Sequence, residues 1–335
     1  MQTACHTPGP MQSILAVTVP FFALVLCGYL ASRHRVLPES AIPGLNTYVL
    51  YFALPCMLFR FGAGTPIFDL LNPVVLGVYL AAALLIVFFT IAVTLNQRVQ
   101  MKDAAFGALV AAFPNTGFMG VPLLVALMGT AAAGPVICSL LADIFITSSV
   151  CIALAQTAKV TNGAAGQGPR QAALRALRSA VSNPLPWSIA LGALFSVTGL
   201  TLPGPLNKVV EMLGASASPV ALFTIGAVLW RSSQHAHTRT PVAEFLPVAL
   251  IKLFLHPLLV FLLAASAHAL GAPLSKFQLV VLTLAAALPS ASNVSLLAER
   301  YGADNGRVAS IIMSSTVLAF VTFSTLAWAF GVQPG

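Results

Sequence analysis

The residues with the most chemical promise are polar groups set beside prolines inside apolar runs. One run reads AAFPNTGFMGVPLL, with Pro114, Asn115, Thr116, Gly117, Gly120 and Pro122 at its middle. Another reads AALPSASNVSLLAER, where Pro289 is followed by Ser290, Ser292 and Asn293. Proline removes a backbone donor and clashes with the preceding turn, and glycine weakens a helix further, so both segments are expected to break. A broken helix exposes first-turn N–H groups and a partial positive charge, and two breaks facing each other make an anion site. Asn115, Thr116, Ser290, Ser292 and Asn293 would add side-chain hydrogen bonds, with Pro114 and Pro289 marking the breaks. A proline kink in a helix that merely packs is the plainer alternative.

Three ionisable residues also lie deep in apolar runs: Asp143, Lys252 and His256. A charge at mid-membrane costs on the order of 2.5–3.5 kcal/mol on insertion scales, which makes such residues functional candidates. Lys252 sits eight residues past Glu244, about 12 Å into a hydrocarbon core about 30 Å thick. Lys252 could offset a substrate's negative charge while Asp143 exchanges a coupling proton. Alternatively the two pair with each other or cap broken-helix backbone. His256 follows Lys252 by one turn on the same face and reads as an interior histidine or a proton relay. His235 and His237 form HxH without a third ligand nearby, so no metal site is expected.

Composition says what must position these groups. Of 335 residues, 58% are apolar and 7% charged, against about 45–50% and 25% in soluble domains. With a mean hydropathy of +0.93, soluble, disordered and disulfide-stapled classes are excluded, and a polytopic all-α membrane protein is expected. The net charge of +8 is scattered between apolar runs, which marks membrane orientation and gives no sign of nucleic-acid binding. The five cysteines form no CxxC pair and read as small buried hydrophobes. The opening MQTACHTPGPMQ lacks a basic segment, so the first span is expected to stay as an anchor.

Ten transmembrane helices are predicted, near residues 12–31, 41–61, 70–95, 104–128, 132–157, 184–201, 212–230, 243–269, 277–298 and 306–331. Between the fifth and sixth, residues 158–183 read as a cytoplasmic linker ending in a basic amphipathic helix, RQAALRALRSA. Odd-numbered loops hold twelve Lys and Arg and even-numbered loops three, with Lys252 inside a span. The odd loops are therefore expected in the cytoplasm and both termini in the periplasm.

The chain also repeats itself. LPCMLFRFGAG resembles SPVALFTIGAV, with Pro55 and Pro219, Phe59 and Phe223, Gly62 and Gly226 each 164 positions apart. TPIFDLLNPVVL resembles TPVAEFLPVAL, and FPNTGFMGVPLL resembles LPSASNVSLLAE, both at 175. The step of 11 falls in the longer loop WRSSQHAHTR. Two five-helix halves, 12–157 and 184–331, must be inverted relative to one another because five is odd. Inverted repeats are the architecture of secondary transporters, and the broken helices four and nine would cross between the halves.

The stretches PNTGFMGVPLL, LNTYVLYFALPCMLF and LPSASNVSLLAERYGAD resemble the auxin efflux carrier family, over residues 12–331. That family includes plant auxin exporters and bacterial permeases for malonate and similar organic anions. The resemblance implies ten helices in two inverted repeats, a scaffold and a mobile transport domain built from both halves, and elevator-type alternating access. It further implies a substrate held where Pro114, Asn115 and Pro289 cross, with Asn46 nearby, and a homodimer joined through scaffold helices. The fold is shared more distantly with bile acid:sodium symporters. The function expected is a secondary carrier or facilitator of small carboxylates in a bacterial inner membrane, coupled to protons, to sodium or to neither. A sodium-coupled symporter of the bile acid type is the alternative, and a channel or sensor a more distant one. The chain lacks GxxxxGK[ST] and HExxH, so no ATP-driven step, enzymatic activity or cofactor is expected.

Overall fold

The computed structural model describes residues 9–161, 178, 181–235 and 240–334. Their regular secondary structure is all helical, apart from a single isolated β-bridge. Seven helices are long and apolar enough to cross a membrane: α1 (Pro10–Arg33), α2 (Glu39–Gly64), α3 (Pro73–Thr94), α6 (Thr130–Gln156), α8 (Gly204–Arg231, continuing to His235), α9 (Val242–Ala269) and α12 (Asn305–Ala329). The other three expected spans are shorter pieces. The fourth divides into α4 (Met101–Ala112) and α5 (Thr116–Met128), the sixth is α7 (Pro184–Thr198), and the ninth divides into α10 (Lys276–Ala286) and α11 (Asn293–Tyr301). The expected seventh span also begins earlier than residue 212, at Gly204. Apart from Arg178, the basic amphipathic segment of the linker lies outside the described residues, as does His237.

Helix starts follow local chemistry. Proline opens α1, α3 and α7, where its missing N–H costs nothing. Asn72 accepts from the amides of Val74 and Val75, Asn183 from Leu185, and Ser275 and Gln278 form a capping box. Between Pro66 and Pro73 the chain folds a short helix, Ile67–Leu70, in place of the expected start of the third span at residue 70.

Four helices contain a π-helical turn. Those at Val49–Ala53, Thr116–Gly120 and Ile251–Leu255 each end two residues before a proline: Pro55, Pro122 and Pro257. A proline ring crowds the carbonyl four residues back and supplies no donor, and the wider turn relieves both faults. The fourth, Asp143–Thr147, has no proline; there the Ser148 hydroxyl donates to the Asp143 carbonyl at 2.8 Å.

The closest backbone approaches come in two crossings with one pattern. In α1 against α8, a Cβ added at Gly28 would stand 1.8 Å from the Phe223 carbonyl oxygen, and one at Gly226 1.9 Å from that of Val25. In α7 against α2, a Cβ at Gly192 would stand 2.3 Å from the Phe59 oxygen, and one at Gly62 2.8 Å from that of Ile189. All four residues of the second crossing have counterparts in the first at an offset of 164, the interval read from the sequence. Helix α2 packs on α8 as well, while α3, α4, α6, α9, α10 and α12 pack among themselves, with α1 running against α12. Of the cysteines, Cys138 and Cys151 are buried as expected, but Cys27 is exposed on α1.

Candidate functional site

The two helix breaks meet. Asn115 donates its amide to the Pro289 carbonyl at 2.8 Å, and Ala291 donates to Phe113 at 3.0 Å, forming an antiparallel bridge between Pro114 and Ser290. Proline forces this arrangement, because residues 113–115 and 287–292 cannot continue their helices and their freed backbone groups must bond elsewhere. Each strand of the crossing supplies what the other lost. The Ser290 amide donates to Ser315 Oγ at 3.2 Å, which fastens the crossing to α12.

Helices α5 and α11 start within three residues of this bridge, so their positive ends flank it. Of the first-turn amides, Thr116 donates back to the Pro114 carbonyl at 2.8 Å, Val294 to that of Ala291 at 3.3 Å and Ser295 to that of Ser292 at 3.2 Å. The α5 start is braced by Asn115, whose carbonyl accepts from Met119 and Gly120. Asn115, Thr116 and Ser290 are buried, and Thr116 Oγ1 reaches the Pro114 carbonyl at 3.5 Å. Ser290 Oγ and Asn293 Oδ1 are buried with no hydrogen-bond partner among the described residues. Asn46, Ser292 and Asn293 line one crevice, together with Val49, Phe118 and Ile225. Its volume of about 20 Å³ has room for about one water. The structure thus brings Asn46, Pro114, Asn115, Thr116, Pro289, Ser290, Ser292 and Asn293 into one neighbourhood.

Asp143, Lys252 and His256 form a second cluster behind the crossing, all fully buried. Lys252 Nζ donates to the Ala286 carbonyl at 2.6 Å and lies 3.2 Å from His256 Nδ1. Ala286 ends α10, so the ammonium caps the negative end of the half-helix leading into the break. With Lys252 charged, its ammonium only donates, so Nδ1 accepts and the imidazole proton sits on Nε2, an atom without a partner among the described residues. Asp143 accepts from Tyr79 Oη at 2.7 Å and Thr147 Oγ1 at 3.0 Å. No salt bridge joins Asp143 to Lys252 among the described residues. The link between the halves of the cluster is the Tyr79 ring, 5.9 Å from that of His256. Of the two structural alternatives for these charges, Lys252 takes backbone capping rather than mutual pairing.

Tyr79 and Ser315 are site residues the sequence reading missed, and Arg307 is a third surprise. Counted among loop arginines, Arg307 is 1% exposed. It donates from Nε to the Glu244 carbonyl at 2.9 Å and from Nη1 to the Asp103 carbonyl at 2.8 Å. Asp304 caps its helix, and Lys102 donates to the Gly302 carbonyl. The ends of α4, α9, α11 and α12 are thereby clasped together. No cluster of metal-ligating side chains occurs among the described residues.

A polytopic all-helical protein with a polar crossing of broken helices has the makings of a membrane transporter. Residues 13–327 match the family model described as "Membrane transport protein", and the chain belongs to that family, which contains the auxin efflux carriers. It is 29% identical over 321 residues to the "Putative malonate transporter" of Rhizobium meliloti, covering 95% of this chain and 96% of that one. It is 26% identical over 313 residues to "Uncharacterized transporter YfdV" of Escherichia coli K12, at 92% and 94% coverage. With "Auxin efflux carrier component 8" of Arabidopsis thaliana it shares 22% identity over 364 residues, at 95% and 96%. The family and these relatives are transporters, not enzymes.

Proposed function

We propose that this chain is a secondary transporter or facilitator of small organic anions, mono- or dicarboxylates, which it carries by elevator-type alternating access. The carrying observation is the Pro114–Ser290 bridge, where two broken helices meet with both α5 and α11 starting beside it. Helix starts and neutral polar side chains hold a carboxylate without a fixed cation, so release stays inexpensive. Asn46, Asn115, Thr116, Ser292 and Asn293 contribute hydrogen bonds. Lys252 and Asp143, with His256, act behind the crossing: Lys252 balances the substrate's charge and Asp143 exchanges a coupling proton.

Two features support the elevator. The crevice of about 20 Å³ is too small for any carboxylate, so binding requires the helices around the breaks to part from α2 and α8. The two glycine crossings weld α1, α2, α7 and α8 through backbone contact, which suits a static scaffold made from both inverted halves. In the same reading the chain lies in a bacterial inner membrane with both termini periplasmic, and forms a homodimer through that scaffold. Reporter fusions at each terminus and light scattering of the purified protein test those two points.

The deciding experiment is uptake of labelled malonate and of matched monocarboxylates by proteoliposomes, with sodium replaced by choline and with an imposed pH gradient. Accumulation that survives in choline supports a proton-linked or uncoupled carrier. Loss in choline supports the sodium-coupled alternative. Folded protein that moves no carboxylate under either condition refutes the proposal.

A further inference from the structure

The two glycine crossings each border an apolar groove, and the two grooves are copies. The first, about 510 Å³, lies between α1, α8 and α12; the second, about 250 Å³, lies between α7, α6 and the short helix Ile67–Leu70. Phe22, Val25 and Tyr29 in the first stand where Pro186, Ile189 and Ala193 stand in the second, all at an offset of 164. On the other wall Thr316 and Phe320 replace Leu141 and Phe145, at 175.

The copies differ in what fills them. Ile67, Leu70 and Leu71 line the second groove, so the chain partly plugs it with its own apolar side chains and leaves about 250 Å³. Among the described residues no such segment lines the first, whose volume is twice as large. That size is within the range of about 300–1,000 Å³ typical of ligand pockets. Its rims are open to the hydrocarbon: Leu26 is 56% and Val317 68% exposed.

The grooves also differ in charge at one end. On α1 the groove stripe runs Val19, Phe22, Leu26, Tyr29 at helical spacing, and the next position on that face is Arg33. The backbone ends there in a left-handed turn at Arg35, fixed by Arg35 N–H to Ser32 and Val36 N–H to Ala31. Tyr29 packs edge-on against Trp230 at 5.5 Å, as aromatic residues do at the level of lipid headgroups. In the plugged groove the counterparts of Tyr29 and Arg33 are Ala193 and Val197, which offer an anion nothing.

The geometry points to a binding site for one anionic phospholipid: an acyl chain fills the groove between α1, α8 and α12, and the phosphate sits on Arg33 at the end the arginine distribution assigns to the cytoplasm. Site and transport are one helix wall apart. Thr316 faces the groove while its neighbour Ser315 holds the Ser290 amide of the crossing. The lipid therefore braces α12 against α1 directly behind the break.

The test uses the full chain in detergent, titrated with dioleoyl phosphatidylglycerol or dioleoyl phosphatidylcholine while thermal unfolding is followed. Wild type shows a saturable rise of the midpoint, with the anionic lipid effective at about ten-fold lower concentration. Ala23→Trp installs the residue that the plugged groove carries at that position, Trp187, and abolishes the saturable rise. Arg33→Gln keeps the rise but makes the two lipids equivalent. Should Ala23→Trp fold poorly without lipid, Val317→Trp blocks the groove from the opposite wall. A full rise in a folded Trp variant, or no rise in wild type, overturns the assignment. So does a Trp variant that converts a dimer to a monomer in light scattering, since the occupant is then a second copy of the chain.

Discussion

Tyr79→Phe removes one oxygen atom and leaves the ring, so it isolates the bond from Tyr79 Oη to Asp143 Oδ2, 2.7 Å long between two fully buried residues. Asp143 has one other side-chain donor, Thr147 Oγ1 at 3.0 Å. A hydrogen bond to an ionised group contributes about 1.5–3 kcal/mol, against about 0.5–1.5 for a neutral pair. With Asp143 ionised, Tyr79→Phe is expected to cost about 1.5–3 kcal/mol, roughly a 10- to 150-fold change in the unfolding equilibrium. In an Asp143→Asn background the acceptor is neutral, and the same change is expected to cost about 0.5–1.5 kcal/mol. The two sites touch, so the difference between the two costs is a genuine coupling energy in a double-mutant cycle. The assay is denaturant or thermal unfolding of the four proteins in one detergent. A Tyr79→Phe cost below about 0.5 kcal/mol, or an equal cost in both backgrounds, refutes the claim that this tyrosine holds a buried carboxylate.

In transport assays, Asp143→Asn is expected to flatten the pH dependence of uptake; a curve of unchanged shape removes the proton role from this residue. Asn115→Ala, Ser292→Ala and Asn293→Ala should each raise KM about 2- to 13-fold, the worth of one neutral hydrogen bond; unchanged KM in all three moves the substrate away from the crossing. Gly226→Ala forces a methyl to 1.9 Å from the Val25 carbonyl. Because backbone cannot yield as a side chain can, the cost should reach or exceed the usual overpacking range of about 1–3 kcal/mol. Gly77→Ala in α3 meets nothing within 4 Å and should stabilise by about 0.5–1 kcal/mol, so a shared loss in unfolding midpoint would count against the glycine crossing.

The breaks were legible because proline acts locally. Pro114 and Pro289 each disrupt a helix locally, and their spacing of 175 ties the two breaks together in the sequence alone. The depth of Lys252 and the shared face with His256 were legible for a similar reason, since helical periodicity fixes both. What each group bonds to was not. The Ala286 carbonyl that receives Lys252 is a backbone atom with no residue signature, and Tyr79 is a single tyrosine in an apolar run. Arg307 reads as a loop residue because it is only the third residue of α12, yet its guanidinium turns inward between the backbone carbonyls of Asp103 and Glu244. The match of Gly62 with Gly226 was visible. Their function as close contacts needed the partner helices, whose own glycines, Gly28 and Gly192, share the interval of 164 without a surrounding motif.

The bonding of the buried charges explains why they are kept apart. A buried ion loses several kcal/mol of hydration, and pairing with its opposite is the simplest way to recover it. Here each ion instead recovers hydration from a different set of helices: Asp143 on α6 from Tyr79 of α3, and Lys252 on α9 from Ala286 of α10. Helices α3 and α6, and helices α9 and α10, are thereby tied in pairs by polar bonds that a direct salt bridge would have released. With both groups ionised the cluster has no net charge, so a body that carries them together through the membrane field does no electrical work on them, at about 2.3 kcal/mol per charge per 100 mV. On the proposed reading the bound anion then senses the potential, until Asp143 takes up the coupling proton and leaves the Lys252 charge to balance it. A cation at the crossing itself would cancel that dependence, and the crevice there is lined by neutral side chains alone.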